Sequence, residues 1–330
     1  MLILAKSILG LMLGFVLSLI TAVIFIPLFK RLKAGQPVSR LINKRHLKKD
    51  GTPTIGGLIF IIPTLAVMGL LYLRGSIELT PSLIILLFVF LAYALLGFID
   101  DYKKVVMKDN DGFKTLTKLF LQIVIALVFY VIFMQNGGNS TLEITFLNLS
   151  IPMGWAFGIF ILFVLVGTTN AVNITDGLDG LCGGLSVMAF LAYGMIAWGT
   201  TWLTGNEELA IFSFVLVGSL LGFLVFNTHP AKVFMGDTGS LALGGALATI
   251  AILTRHEISL LIIGGVFVVE TLSSLIQIIA IRRYKKKVFL KAPLHHHFEE
   301  LGWAETDIVK LFWVVGLLLS FLGIIYGVWL

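Results

Sequence analysis

Apolar runs of eighteen residues or more recur along the whole length of this sequence. Each is long enough to cross about 30 Å of hydrocarbon as a helix. Charged residues make up 13% of the 330 residues, too few to coat a water-soluble domain of that size. The strands of a membrane barrel would alternate apolar and polar residues over about ten positions, and these runs do not alternate. The fold class that follows is an all-α polytopic membrane protein, a single integrated bundle over residues 1–330. The one cysteine, Cys182, excludes an intrachain disulfide and a cysteine-based zinc site. The first run, from Ser7 to Leu28, is too long for a signal-peptide core and lacks a small-x-small cleavage site, so it reads as a retained first span.

Ten spans are expected, at about 7–29, 53–73, 81–99, 116–134, 152–172, 178–198, 209–227, 238–254, 258–281 and 308–329. The connections after the odd-numbered spans, 30–52, 100–115, 173–177, 228–237 and 282–307, then share one side of the membrane. Cations test the count. Of 24 Lys and Arg, 21 fall on that side, and only Lys6, Arg74 and Arg255 fall on the other. The positive-inside rule makes the basic side cytoplasmic and both termini extracytoplasmic. A missed or invented helix would scatter the cations over both faces. On the outer side, 135–152 opens with Asn-Gly-Gly-Asn and then alternates, which predicts a small hairpin.

Acidic residues at the ends of apolar helices are costly, and so they point to function. Asp100 and Asp101 close the third span. Two adjacent carboxylates at a helix C-terminus oppose the helix dipole and each other, so Lys104, a metal ion, or both should compensate them. The fifth span ends in Asn170, Asn173, Asp176, Gly177, Asp179 and Gly180. Side chains three apart drift about 60° per step on a helix, and they share one place only if the chain breaks, for which Gly177 and Gly180 are suited. A calcium loop fits poorly because the chain returns at once to apolar residues instead of closing a twelve-residue loop. Asp237, with Thr238 and Ser240, stands where the eighth helix starts. It reads as an N-cap, as a ligand for Mg²⁺ or Mn²⁺, or as both. Thr52 and Pro53 read as the N-cap and first turn of the second span, leaving Lys48, Lys49, Gly56 and Gly57 free for an anionic ligand. The run Arg282–Lys287 reads as an anchor for anionic membrane lipid. His295, His296 and His297 cannot all reach one zinc, and hydrogen bonding to phosphate suits them better. Glu270 lies in mid-span, with Gln277 nearer the cytoplasm. A structural part for Glu270 is favoured over a catalytic one.

Five segments appear in order: Gly-Thr-Pro-Thr-Ile-Gly-Gly at 51–57, Asp100-Asp101-x-x-Lys104, Asn-Ala-Val-Asn-Ile-Thr-Asp-Gly-Leu-Asp-Gly at 170–180, Phe-Met-Gly-Asp-Thr-Gly-Ser at 234–240, and Pro-Leu-His-His-His-Phe-Glu at 293–299. With this set the chain resembles the bacterial phospho-N-acetylmuramoyl-pentapeptide transferases (translocase I), a branch of the polyprenyl-phosphate N-acetylhexosamine-1-phosphate transferase superfamily. The histidine triplet followed by Phe-Glu favours this branch over the sister enzymes that use UDP-N-acetylglucosamine, which are the alternative reading. The resemblance implies Mg²⁺-dependent transfer from UDP-N-acetylmuramoyl-pentapeptide to undecaprenyl phosphate, giving lipid I and UMP in peptidoglycan synthesis. It also implies a multi-pass location in the bacterial cell membrane, a homodimer, a ninth span that bends, and inhibition by nucleoside natural products. No nucleic-acid partner is expected.

The resemblance assigns residues as well. Asp237 would bind Mg²⁺, and Asp100 would orient or deprotonate the lipid phosphate. Asp101, Lys104, His295, His296 and His297 would hold phosphates. Lys49, Thr54, Asn170, Asn173, Asp176, Gly177, Asp179, Asn227, Phe234 and Gln277 would bind substrate, with Phe234 stacking on uracil. Two rivals come from other classes. A transporter would place its polar residues at the midplane and show an inverted repeat, and neither is seen. An aromatic prenyltransferase would release pyrophosphate and need no uridine.

Overall fold

The computed structural model describes residues 2–31, 51–105, 107, 112–144, 147, 149–200 and 206–329. Lys49, with the other basic residues of the 32–50 connection, lies outside the described residues. The helices are α1 (Leu2–Arg31), α2 (Leu58–Leu73), α3 (Pro81–Val105), α4 (Thr115–Gln135), α5 (Ala156–Thr175), α6 (Leu181–Gly199) and α7 (Glu207–Asn227). They continue with α8 (Gly236–Leu253), α9 (Glu257–Ile263), α10 (Gly265–Tyr284), α11 (Leu294–Glu300) and α12 (Glu305–Ile324), the last extended by a π-helical turn, Ile325–Trp329.

Among the described residues, nine helices are long and apolar enough to cross a membrane, and α2 is a tenth, shorter apolar helix of 16 residues. At 1.5 Å per residue α2 spans about 24 Å, because its start is used otherwise. Thr52 and Pro53 do not begin the helix as the sequence suggested. Residues 53–57 run instead alongside 234–235: Phe234 N–H donates to Pro53 O at 2.8 Å, and the Gly56 and Gly57 N–H groups donate to Phe234 O and Met235 O at 2.9 Å each. The glycine pair is therefore committed to this backbone contact, and the helix starts only at Leu58. The ninth span is divided at Gly264 into α9 and α10, which accords with the expected bend.

The apolar periodicity that makes these helices also sorts them. Helices α6, α7 and α8 are apolar all round and sit innermost, whereas α1 and α4 leave most of their apolar surface on the outside, as a lipid-facing helix does. Small residues let the inner helices approach closely. At Gly97 a Cβ would overlap the Asp237 carbonyl, which presses α3 against the start of α8.

The two ends of the bundle differ. At one end the C-termini of α3 and α5 meet the start of α8 and the segments 176–180, 228–234 and 294–305. At the other, β1 (Thr141–Ile144) pairs antiparallel with β2 (Leu149–Pro152), the expected hairpin. There Arg255 reaches Glu143 at 3.4 Å, and His256 contacts Gly327 O at 2.9 Å. The connections after the third, fifth, seventh and ninth spans thus share one end, as the cation count required.

Candidate active site

The site grows from the last turn of α3 and the first turn of α8. The two carboxylates at the end of α3 are compensated in different ways. Asp100 Oδ2 meets Lys104 Nζ at 2.6 Å, and its Oδ1 accepts the Phe113 N–H at 2.6 Å. Asp101 turns the other way. Its Oδ1 accepts the Asp237 N–H at 3.1 Å, and its Oδ2 accepts the Thr238 N–H at 2.9 Å and the Thr238 hydroxyl at 2.6 Å. These are orphan donors of the α8 N-terminus, and a capping carboxylate satisfies them. The cap therefore comes from another helix. The expectation that Asp237 caps α8 with its own side chain is overturned, because its carboxylate is held elsewhere. Gly236, at φ +69, turns the chain into α8, and a side chain there would run into Asp101 and Thr54.

Freed from capping, the Asp237 carboxylate faces cations. Its Oδ2 meets Lys104 Nζ at 2.8 Å and Lys118 Nζ at 2.9 Å, and its Oδ1 accepts from Asn173 Nδ2 at 2.7 Å. Lys118 also lies 3.8 Å from Asp100 Oδ2. Two ammonium groups and two carboxylates thus form one cluster, partly buried and so less screened than a surface pair.

The predicted break after the fifth span falls where expected. Helix α5 ends at Thr175, and Gly180, at φ +80, precedes α6. As the helical drift requires, Asn173 points at Asp237, while Asn170 points away, to Gln122 Oε1 on α4 at 2.8 Å. Thr54, Asp101, Lys104, Asn173, Asp176, Phe234, Gly236 and Asp237 line one polar cavity of about 240 Å³. The sequence reading had named all of these except Gly236.

Other predicted residues stand around this cavity rather than on its wall. Asn227 Nδ2 donates to Val233 O at 2.9 Å and closes the loop that carries Phe234. Asp179 Oδ2 meets His229 Nδ1 at 3.0 Å and the Ala231 N–H at 3.1 Å, tying the same loop to the α5–α6 turn. Gln277 bonds the backbone of Val288 and Phe289 at 2.9–3.0 Å. The three histidines diverge around α11. His295 goes to Glu270, His296 to Glu299 Oε2 at 2.6 Å, and His297 Nδ1 accepts the Leu290 N–H at 3.1 Å. Burial holds His296 below the usual imidazole range, against the pull of Glu299.

Sequence reasoning missed Lys118 and Glu305. Glu305 Oε1 accepts the Asp179 N–H at 2.8 Å. A signal for Lys118 was present: a cation in the first turn of α4 opposes that helix's dipole and so needs an anionic neighbour.

The chain matches the sequence profile of glycosyl transferase family 4 over residues 82–255. It is 50% identical over 319 residues to the phospho-N-acetylmuramoyl-pentapeptide-transferase of Bacillus subtilis (strain 168), covering 97% of each chain. It is likewise 50% identical over 323 residues to the protein of that name from Geobacillus sp. (strain WCH70), covering 98% of each.

Proposed function

The chain belongs to the phospho-N-acetylmuramoyl-pentapeptide-transferase branch of glycosyl transferase family 4, and we propose how its polar cavity carries out that family's reaction. The enzyme transfers phospho-N-acetylmuramoyl-pentapeptide from its UDP carrier to a polyprenyl phosphate, giving lipid I and UMP. The relatives' names favour this donor over UDP-N-acetylglucosamine. An oxygen of the lipid phosphate attacks the sugar-linked phosphorus. The new P–O bond forms as the bond to the bridging oxygen breaks, and that electron pair leaves on UMP.

Nucleophile and electrophile are both anionic, so their repulsion dominates the barrier. Lys104 and Lys118, already gathered on Asp237 and Asp100, are the chain's own cations at the point where the phosphates meet. The hard oxygens of Asp237, with Asp176 on the same cavity wall, fit Mg²⁺, which takes one or two protein carboxylates beside water and substrate phosphate. When bound at Asp237, that ion would neutralise phosphate oxygens and the leaving group. Asp101 serves by fixing the turn that presents Asp237. Asp100, held by Lys104 and the Phe113 N–H, orients the lipid phosphate. A phosphate monoester is largely ionised at neutral pH, with a second pKa of about 6, so the attack needs little help from a base and proceeds in one step. Phe234 stacks on uracil, and the loop braced by Asn227 and Asp179 holds it there.

The prenyl chain has a place to lie. An apolar groove of about 240 Å³ runs between α5 and α9–α10, lined by Phe160, Phe163, Leu261 and Phe267 among others. It extends to Ala171, two residues before Asn173. The lipid acceptor is undecaprenyl phosphate, ten spans cross the bacterial cell membrane with both termini outside, and the enzyme works as a homodimer. The one observation that carries this reading is the cavity, whose wall draws its acids, amide, lysine and aromatic ring from three separate segments and Thr54 from a fourth. Purified protein in detergent, supplied with Mg²⁺, undecaprenyl phosphate and either UDP-N-acetylmuramoyl-pentapeptide or UDP-N-acetylglucosamine, tests it. UMP and a lipid product are expected from the first donor alone, whereas a carrier would make neither.

A further inference from the structure

The connection after α10 does not hang free at the end of the bundle. It folds back along α10, where Gln277 holds residues 288–289 and Glu270, seven residues earlier and on the same helix face, holds the start of α11. Glu270 is fully buried. Its Oε1 accepts the His295 backbone N–H at 3.1 Å, and its Oε2 meets His295 Nδ1 at 2.9 Å. The imidazole is 1% exposed. With a carboxylate on Nδ1, that nitrogen carries a proton, and Nε2 becomes the working atom of the ring.

Nε2 is buried and has no hydrogen-bond partner among the described residues. It lies so close to Gly177 that a Cβ there would overlap it, and Gly177 follows Asp176, which lines the polar cavity. Leaving a buried polar atom unsatisfied costs about 1–3 kcal/mol, and such an atom calls for an explanation, whether a catalytic part or a bound water or ion.

We propose that Glu270 is a positioning residue for the transfer reaction: it fixes the ring and proton of His295 so that Nε2 faces the Asp176–Gly177 turn at the edge of the diphosphate-binding cavity. This rests on the functional reading above. A carboxylate behind an imidazole selects the tautomer, locks the ring and stabilises the imidazolium when it forms. A residue whose only task was to pin α11 would need one hydrogen bond to the backbone. Glu270 makes a second, to the ring.

Glu270→Gln keeps the size and the backbone bond but removes the charge. Its kcat for UMP release is expected to fall at least about 10–100-fold, the loss found when the carboxylate behind a metal-bound histidine is removed, with KM for the nucleotide sugar and the thermal midpoint nearly unchanged. Glu270→Asp should recover part of the loss. In a His295→Ala background Glu270→Gln should cost nothing further, since its effect passes through the ring. A Glu270→Gln enzyme with wild-type kcat, or losses that multiply in the double variant, would overturn the proposal. Should the Gln variant not fold, Glu270→Asp decides: reduced kcat at unchanged KM supports the proposal, and wild-type kcat overturns it. Wild-type enzyme assayed alongside separates the two readings, because its failure to release UMP would end the functional assignment itself.

Discussion

Thr238 delivers both its backbone N–H and its hydroxyl to one oxygen of Asp101, at 2.9 and 2.6 Å. The end of α3 thereby caps the beginning of α8. A carboxylate at a helix C-terminus is unfavourable on its own helix, and here the positive end of a second helix compensates it. The contact also frees the Asp237 side chain for Lys104, Lys118 and Asn173.

Asp101→Ala should therefore damage the fold as well as the reaction. Loss of a cap costs roughly 1–2 kcal/mol, and the buried N–H groups left behind add about 1–3 kcal/mol. Thr238→Val keeps the backbone donor and should cost only about 1 kcal/mol. Thermal unfolding in detergent should rank the two in that order.

Asp237→Asn retains the Asn173 contact but removes the charge that gathers the cations. UMP release should fall by at least about a hundredfold, with the thermal midpoint little changed. Stripping divalent cations with EDTA should silence the wild-type enzyme, and Mg²⁺ should restore it. Near-normal turnover in either experiment would remove Asp237 from the centre of the scheme.

Lys118 makes a sharper case, since no motif names it and its two carboxylate neighbours come from other helices. Lys118→Met keeps the aliphatic stem and should reduce kcat/KM by about tenfold or more, while Lys118→Arg keeps the charge and should lose less. Equal loss in both variants would mean that shape matters there more than charge.

Phe234→Ala should raise KM for the nucleotide sugar by about tenfold, since base–aromatic stacking is worth about 1–3 kcal/mol. Phe234→Trp should stay near wild type. The KM for the lipid acceptor should not move in either variant.

Orientation can be read in intact cells, because the native thiol, Cys182, is fully buried and will not react. A membrane-impermeant maleimide should label Asn139→Cys beside the hairpin and spare Lys287→Cys until the cells are broken. Both positions are exposed. The reverse pattern would invert the topology.

The architecture was legible because lipid imposes a simple grammar: long apolar runs give helices, and cation asymmetry tells which connections gather at one end. The cavity was legible because carboxylates and amides at helix ends have no cheap explanation in a membrane. What the sequence hid was partnership. Thr52 and Pro53 look like a helix start, and nothing local shows that residues 53–57 pair with 234–235 instead. Asp237 looks like a cap, and only the fold shows that Asp101 takes that part. The histidine triplet looks like one site, yet neighbouring residues on a helix point about 100° apart, and each ring finds its own partner. Gln277, a substrate ligand by resemblance, also bonds the backbone of the returning chain, a contact that no local pattern announces.

The cluster of Asp100, Asp237, Lys104 and Lys118 is electroneutral by itself, two ammonium groups matching two carboxylates. A diphosphate arriving there upsets that neutrality and creates a field that attracts a further cation. Metal and nucleotide should therefore recruit one another: each tightens the other's binding by the same factor, as linkage demands, and magnesium titrated against the protein alone will seem weaker than the magnesium that serves turnover.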